Sequence, residues 1–183
     1  PALKQAEERG DKLEIGNALN HIGMIYVDKS DFNIALDYME KYLKISEKLN
    51  NKDGLARGLN NIGIIYEYKG ETDVALDYYE RSLKIAEELN EKLMLAPISN
   101  LGDIYVTKRD RNKAFNYFKR ALEISEKLGQ KQMIGHHLSK FGSIYVSKGD
   151  YDLGLDYYEK SLTIGEELGS KNFIGWMLVH IGY

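Results

Sequence analysis

Asn60-Asn61-Ile62-Gly63-Ile64-Ile65-Tyr66 places a glycine inside an apolar run with helical spacing. Glycine costs about 1 kcal/mol relative to alanine within a helix, so its presence needs a reason. The stretch is not unique. It occurs as Asn20-His21-Ile22-Gly23-Met24-Ile25-Tyr26, as Ser99-Asn100-Leu101-Gly102-Asp103-Ile104-Tyr105 and as Ser139-Lys140-Phe141-Gly142-Ser143-Ile144-Tyr145. A fifth copy begins at Val179-His180-Ile181-Gly182. The period is about 40 residues, a length typical of stacked helical repeats.

Around this stretch a unit can be assembled from the second copy. Leu55, Leu59, Ile62, Ile65 and Tyr66 follow a 3.6-residue period, predicting a helix from Asp53 to Tyr68. Lys69-Gly70-Glu71 interrupts it, and Gly70 suits a left-handed helix end. Asp31, Asp110 and Asp150, the counterparts of Glu71, suit helix N-caps. A second helix, Thr72 to Leu89, has the apolar face Val74, Ala75, Leu76, Tyr79, Leu83, Ile85 and Leu89. One such hairpin cannot cover both of its apolar faces, so neighbouring hairpins must stack to complete the core. The glycines at 23, 63, 102 and 142 predict a close helix–helix approach that excludes a side chain. Ala35, Ala75, Ala114 and Gly154 supply the small residue on the second helix. Tyr66 and Tyr105 are 39 residues apart rather than 40, and the loss is placed between Leu89 and Ile98, beside Pro97. Proline inside a helix removes a hydrogen bond, so the third copy's first helix is expected to start late or bend.

The 183 residues carry a formal net charge of -3 with interspersed signs, unlike the clustered Lys/Arg of a nucleic-acid footprint. There is no cysteine, which excludes disulfides and thiolate metal sites and is compatible with the cytoplasm, the expected location. No apolar run approaches the roughly 18 residues of a membrane span. Leu3-Lys4-Gln5-Ala6 aligns with Leu43-Lys44-Ile45-Ser46, inside a helix, so the chain reads as an excerpt of a longer protein.

These motifs resemble tetratricopeptide repeats of the long, 40-residue kind. The family places an apolar residue, Leu-Gly and Tyr on the first helix, then a small residue and an aromatic on the second. In the second copy these are Leu59, Ile62-Gly63, Tyr66, Ala75 and Tyr79. The other copies give Leu19, Ile22-Gly23, Tyr26, Ala35 and Met39; Ile98, Leu101-Gly102, Tyr105, Ala114 and Phe118; Leu138, Phe141-Gly142, Tyr145, Gly154 and Tyr158. Leu or Ile replaces the family's Trp, and Glu47, Glu87, Glu126 and Glu166 stand near its closing proline. The resemblance implies an all-α, right-handed superhelical solenoid of antiparallel helix pairs. Four full repeats would span about 12–50, 51–90, 91–129 and 130–169, with partial helices at 1–11 and 170–183. It also implies a concave wall of first helices that binds an extended peptide or a helical segment of another protein.

Helix geometry locates that wall. The core stripe holds the residues four before, one before and three after each glycine, and the opposite stripe follows at 100° per residue. The opposite stripe reads Asn17, Asn20, His21, Met24, Val27 and Asp28; then Arg57, Asn60, Asn61, Ile64, Glu67 and Tyr68. It continues as Ala96, Ser99, Asn100, Asp103, Val106 and Thr107; then His136, Ser139, Lys140, Ser143, Val146 and Ser147. Asn17, Asn20, Arg57, Asn60, Asn61, Ile64, Asn100, Asp103, His136 and Lys140 are the candidate peptide-binding residues. Asparagine carboxamides match a peptide's N–H and C=O groups, although the same residues could serve the neighbouring helix or water. Met24, Ile64, Val27, Val106 and Val146 either hold ligand side chains or pack adjacent first helices. Family members that hold acidic chaperone C-termini use a Lys, Asn and Arg clamp. Only Asn61, or in the other register Asn100 with partial support from Lys140, fits it here, so that ligand is not expected.

Catalytic and metal chemistry is not expected. Adjacent His136 and His137 diverge by about 100° on a helix, poor geometry for one metal. No phosphate loop or nucleophile elbow is present, so no cofactor and no enzymatic activity are expected. Nor are nucleic acid or membrane partners. A second reading is a spacer, sensor or self-assembly module of a larger signalling protein. Phe173, Ile174, Trp176, Met177 and Leu178 lack a following helix and predict end-to-end association.

Overall fold

The computed structural model describes residues 2–171 and 173–175. Among them the chain is all-α, running α1 (Ala2–Arg9), α2 (Lys12–Asp28), α3 (Phe32–Lys48), α4 (Lys52–Tyr68), α5 (Thr72–Glu87), α6 (Glu91–Thr107), α7 (Arg111–Lys127), α8 (Lys131–Ser147) and α9 (Tyr151–Glu167). Trp176, Met177, Leu178 and the fifth copy from Val179 to Gly182 lie outside the described residues, with the end-to-end association expected from them.

Two compact units divide the chain, Pro1–Pro97 and Ile98–Tyr183. In the first, α1 packs on α2, α2 on α3, α3 on α4 and α4 on α5. Its core gathers Leu19, Val27, Ala35, Met39, Tyr42, Ile62 and Ile65. In the second, α8 packs on both α7 and α9. Phe118, Leu101, Ile104, Phe141 and Ile144 are buried there. Consecutive helices pair antiparallel, as the repeat demands.

The turns follow the expected chemistry in part. Gly70 and Gly149 adopt φ of 78° and 84°. Ser30 and Arg109 hold the same place in their copies at 63° and 60°, without glycine's freedom. Asp110 and Asp150 cap α7 and α9 through the amides of Lys113 and Leu153, at 3.0 and 3.3 Å. Asp31 makes no side-chain cap bond, contrary to expectation, and neither does Glu71, whose longer carboxylate binds Lys69 Nζ at 2.8 Å. Asp11, Asn51 and Asn90 cap the first helices of their hairpins instead, accepting from Glu14, Gly54 and Leu93 N–H.

The late start expected at Pro97 does not occur. α6 begins at Glu91 and has 17 residues, like α4 and α8, with Pro97 inside it. The missing residue belongs to α5, which has 16 residues where α3 and α7 have 17. Three residues still separate α5 from α6, but none has the positive φ that Asn50 shows after α3. Pro97 removes one rung of α6, the bond its N–H would have made, and the helix continues beyond it.

The recurring glycines seat the second helices. A Cβ on Gly63 would lie 2.5 Å from the Tyr79 ring, and one on Gly142 2.7 Å from the Tyr158 ring. Gly23 meets the Met39 methyl and Gly102 the Phe118 ring. Gly154 is small because Val146 Cγ2 would sit 2.6 Å from its Cβ. Each hairpin is also closed by two stacked tyrosines. Tyr26–Tyr38, Tyr66–Tyr78, Tyr105–Tyr117 and Tyr145–Tyr157 have centroids 5.6, 5.5, 5.5 and 5.4 Å apart. Lys29, Lys69, Lys113 and Lys148 lie over the first ring of each pair.

Candidate functional site

In the first unit α2, α4 and the start of α6 border a pocket of about 220 Å³. It is lined by Asn20, Arg57, Asn60, Asn61, Lys92 and Leu93 among others. Asn61 Nδ2 donates to Asn20 Oδ1 at 2.8 Å, bridging successive first helices. The bond uses one of the two N–H donors of Asn61 and one lone pair of the Asn20 oxygen. Arg57 is held by Asp53 one turn before it. Beneath the pocket, Ser82 Oγ donates to the Ala56 carbonyl at 2.7 Å.

The candidate residues differ in exposure. Asn17 and Arg57 are exposed, and Asn20, Asn61 and Ile64 are half-buried. Asn60 is only 7% exposed, and Ser99 and Ser139 at the same repeat position are also buried. The residue three before each glycine thus leans into the packing from the second copy onward. Val27 joins the core, with Met24 and Ile64 packed against it, whereas Val106 remains 47% exposed.

In the second unit Asn100, Asp103, His136 and Lys140 are half-buried. Lys140 Nζ donates to Asp103 Oδ1 at 2.6 Å and lies 5.8 Å from the Phe118 ring centroid. Its charge is thereby matched within the wall. A second pocket, again about 220 Å³, is bounded by Asp103, Val106, Arg109, Arg111, Phe118, Lys140, Ser143, Ile144 and Ser147. Arg111 Nε donates to Ser147 Oγ at 2.8 Å. The arginines went unread in the sequence, where the turn was taken only as a break. The signal was present: the third copy has Arg109 where the others have Ser30, Gly70 and Gly149, and Arg111 where they have Phe32, Thr72 and Tyr151.

Deeper in this unit His137 is fully buried between two hydroxyls. Ser125 Oγ donates to the Ala121 carbonyl at 2.8 Å and so accepts from His137 Nδ1 at 3.2 Å. Nε2 then accepts from Ser99 Oγ at 2.8 Å. Burial lowers the imidazole pKa to about 4, and the charges of His136 and Lys140 push the same way. Burial also lowers His136, where Lys140 adds to the effect and Asp103 opposes it. The His136 and His137 rings are 5.7 Å apart at 70°. Among the described residues, no group of three or more His, Asp or Glu could hold a metal ion. None of the helices there is long and apolar enough to cross a membrane.

Repeated hairpins, each seated by a glycine and presenting one polar helix face, define a helical repeat protein. Residues 14–88, 55–127 and 93–167 each match the tetratricopeptide repeat, and the chain belongs to that family. Its repeats are generally protein–protein interaction modules. No curated protein matches the chain.

Among solved structures, it is similar to a Rap protein complexed with competence and sporulation factor. That likeness has a TM-score of 0.84 and 21% identity, and covers 97% of this chain and 51% of the other. It is also similar to a signal-transduction ATPase with numerous domains and a tetratricopeptide repeat sensor from Pyrococcus horikoshii. There the TM-score is 0.82 and the identity 19%, covering 96% and 28%. BtubC (BKLC) from P. vanneervenii gives 0.75 and 21%, covering 87% and 66%. At these identities the likenesses show the fold, and the chain spans less than two thirds of each of these relatives.

Proposed function

We propose that the chain is a protein-binding module that takes an extended peptide of a partner on the inner face of its first helices. The observation supporting this is the Asn61–Asn20 carboxamide pair beside an open pocket in the first unit. A side-chain amide can pair with a backbone N–H or C=O of any sequence, which suits a ligand held in extended form. A Rap relative complexed with competence and sporulation factor is consistent with this use of the fold. The reading gives the chain no catalytic role: His137, set between Ser99 and Ser125, is sealed from solvent and its imidazole is a poor base at neutral pH.

A random peptide library displayed on phage and selected on the whole chain tests the reading. Selected peptides should bind Asn61→Ala about tenfold more weakly, one charge-free hydrogen-bonding residue being worth about 1 kcal/mol or slightly more. Urea titration should show a loss of no more than about 1 kcal/mol, the bond of half-buried Asn61 to Asn20. Peptides that bind the variant as well as wild type place recognition elsewhere, and an empty selection ends the proposal.

A further inference from the structure

Arg109 and Arg111 flank the pocket of the second unit, and among the described residues neither has a carboxylate partner. The Arg109 guanidinium has no hydrogen bond or ion pair among the described residues, its backbone N–H alone being used, on the Val106 carbonyl. Arg111 spends only Nε, on Ser147, so both terminal nitrogens of its guanidinium stay available. Lys148 joins them around the adjoining open depression, whose single acid is Asp110. That acid is engaged at the cap of α7. The patch is therefore a local cationic excess in a chain whose formal net charge is -3.

Beside it, the pocket presents Val106, Phe118 and Ile144, with Lys140 neutralised by Asp103. We infer that this site takes an acidic segment of a partner protein, seating one apolar side chain against Val106, Phe118 and Ile144 while flanking carboxylates meet Arg109 and Arg111. Guanidinium groups bind carboxylates in a fork, with two parallel N–H donors, and Arg111 has that edge free. The patch is one turn long, whereas a nucleic-acid backbone needs a longer basic stripe. Arg109 holds its place with φ of 60°, a conformation that glycine would adopt without strain.

This deepens the function proposed above and rests on it in treating the inner face as a binding wall, so the test separates the two. Phage-displayed random peptides are selected on the whole chain, then measured against Asn61→Ala, Arg109→Gln/Arg111→Gln and Arg109→Glu/Arg111→Glu. Helicity confirms that each variant folds. The inference expects recovered peptides rich in Asp and Glu beside a Leu, Met or Phe. Binding should fall about tenfold in the Gln pair and further in the Glu pair, charge-assisted bonds being the stronger kind. Peptides without acidic enrichment, or indifferent to both arginine variants, overturn the inference, while sensitivity to Asn61→Ala leaves the broader function standing. An empty selection removes both. An oligothymidine that binds tighter than every recovered peptide also overturns it, because the patch then serves nucleic acid.

Discussion

Replacing Gly63 with alanine probes the closest approach in the first unit. The new Cβ would lie 2.5, 2.7 and 3.1 Å from three atoms of the Tyr79 ring. That ring is fully buried, and its hydroxyl donates to Glu67 Oε2 at 2.6 Å, so it is held at both ends. Overpacking of this kind costs about 2–3 kcal/mol, and alanine's better helix propensity returns about 1, leaving a net loss of roughly 1–2 kcal/mol. Gly23→Ala is the internal control. There the closest atom, 2.7 Å away, is the terminal methyl of Met39, which can rotate aside. The propensity gain should then survive, and stability should stay level or rise by up to about 1 kcal/mol. Urea titration followed by circular dichroism measures both, with the slope checked for unchanged cooperativity. Gly63→Ala combined with Tyr79→Met should recover part of the loss by copying the first copy's pairing. Equal shifts for the two single variants would refute the reasoning, because ring rigidity is its only distinction between them.

Other outcomes follow from the buried polar groups and the turns. His137 has a folded pKa of about 4 against 6.5 for the free side chain, so the unfolded chain binds the extra proton. Its contribution is complete above 6.5 and is lost as pH falls towards 4, amounting to about 3 kcal/mol. Denaturation at several pH values should show this slope, flattened in His137→Gln. Ser82→Ala leaves the buried Ala56 carbonyl without its 2.7 Å donor and should cost about 1–2 kcal/mol. Ser46→Ala should be neutral or stabilising by thermal melt, because Ser46 Oγ is buried without a hydrogen-bond partner among the described residues. Ser30→Gly relieves a φ of 63° and should raise stability by about 1 kcal/mol, measured by urea titration.

The helices were legible because their apolar residues repeat with the helical period, and Gly70 marked its turn correctly. The seating of Gly63 was legible too, since an unexplained helical glycine implies a neighbour. The tyrosine pairs were half visible. Tyr26, Tyr66, Tyr105 and Tyr145 stood out, but Tyr38, Tyr78, Tyr117 and Tyr157 find them only through the crossing of two helices. Burial along the wall was hidden for the same reason. Angles around one helix put Asn60, Ser99 and Ser139 outside, whereas packing from the next element buries them. The slip in spacing was noticed but charged to Pro97, because a proline is conspicuous and a residue missing from α5 is not. Arg109 and Arg111 were readable as letters, but the bond of Arg111 to Ser147 from α8 needed the fold.

The stacked tyrosines bear on the order in which the chain organises itself during synthesis. Tyr26 and Tyr38 are near in sequence, as are the partners in each later pair, so the closure entropy of each clasp is small. Each hairpin can therefore latch soon after its second tyrosine is made, before its stacking neighbour exists. A growing chain then presents prefolded pieces in sequence, and the stretch of apolar surface awaiting cover at any moment is about one hairpin long.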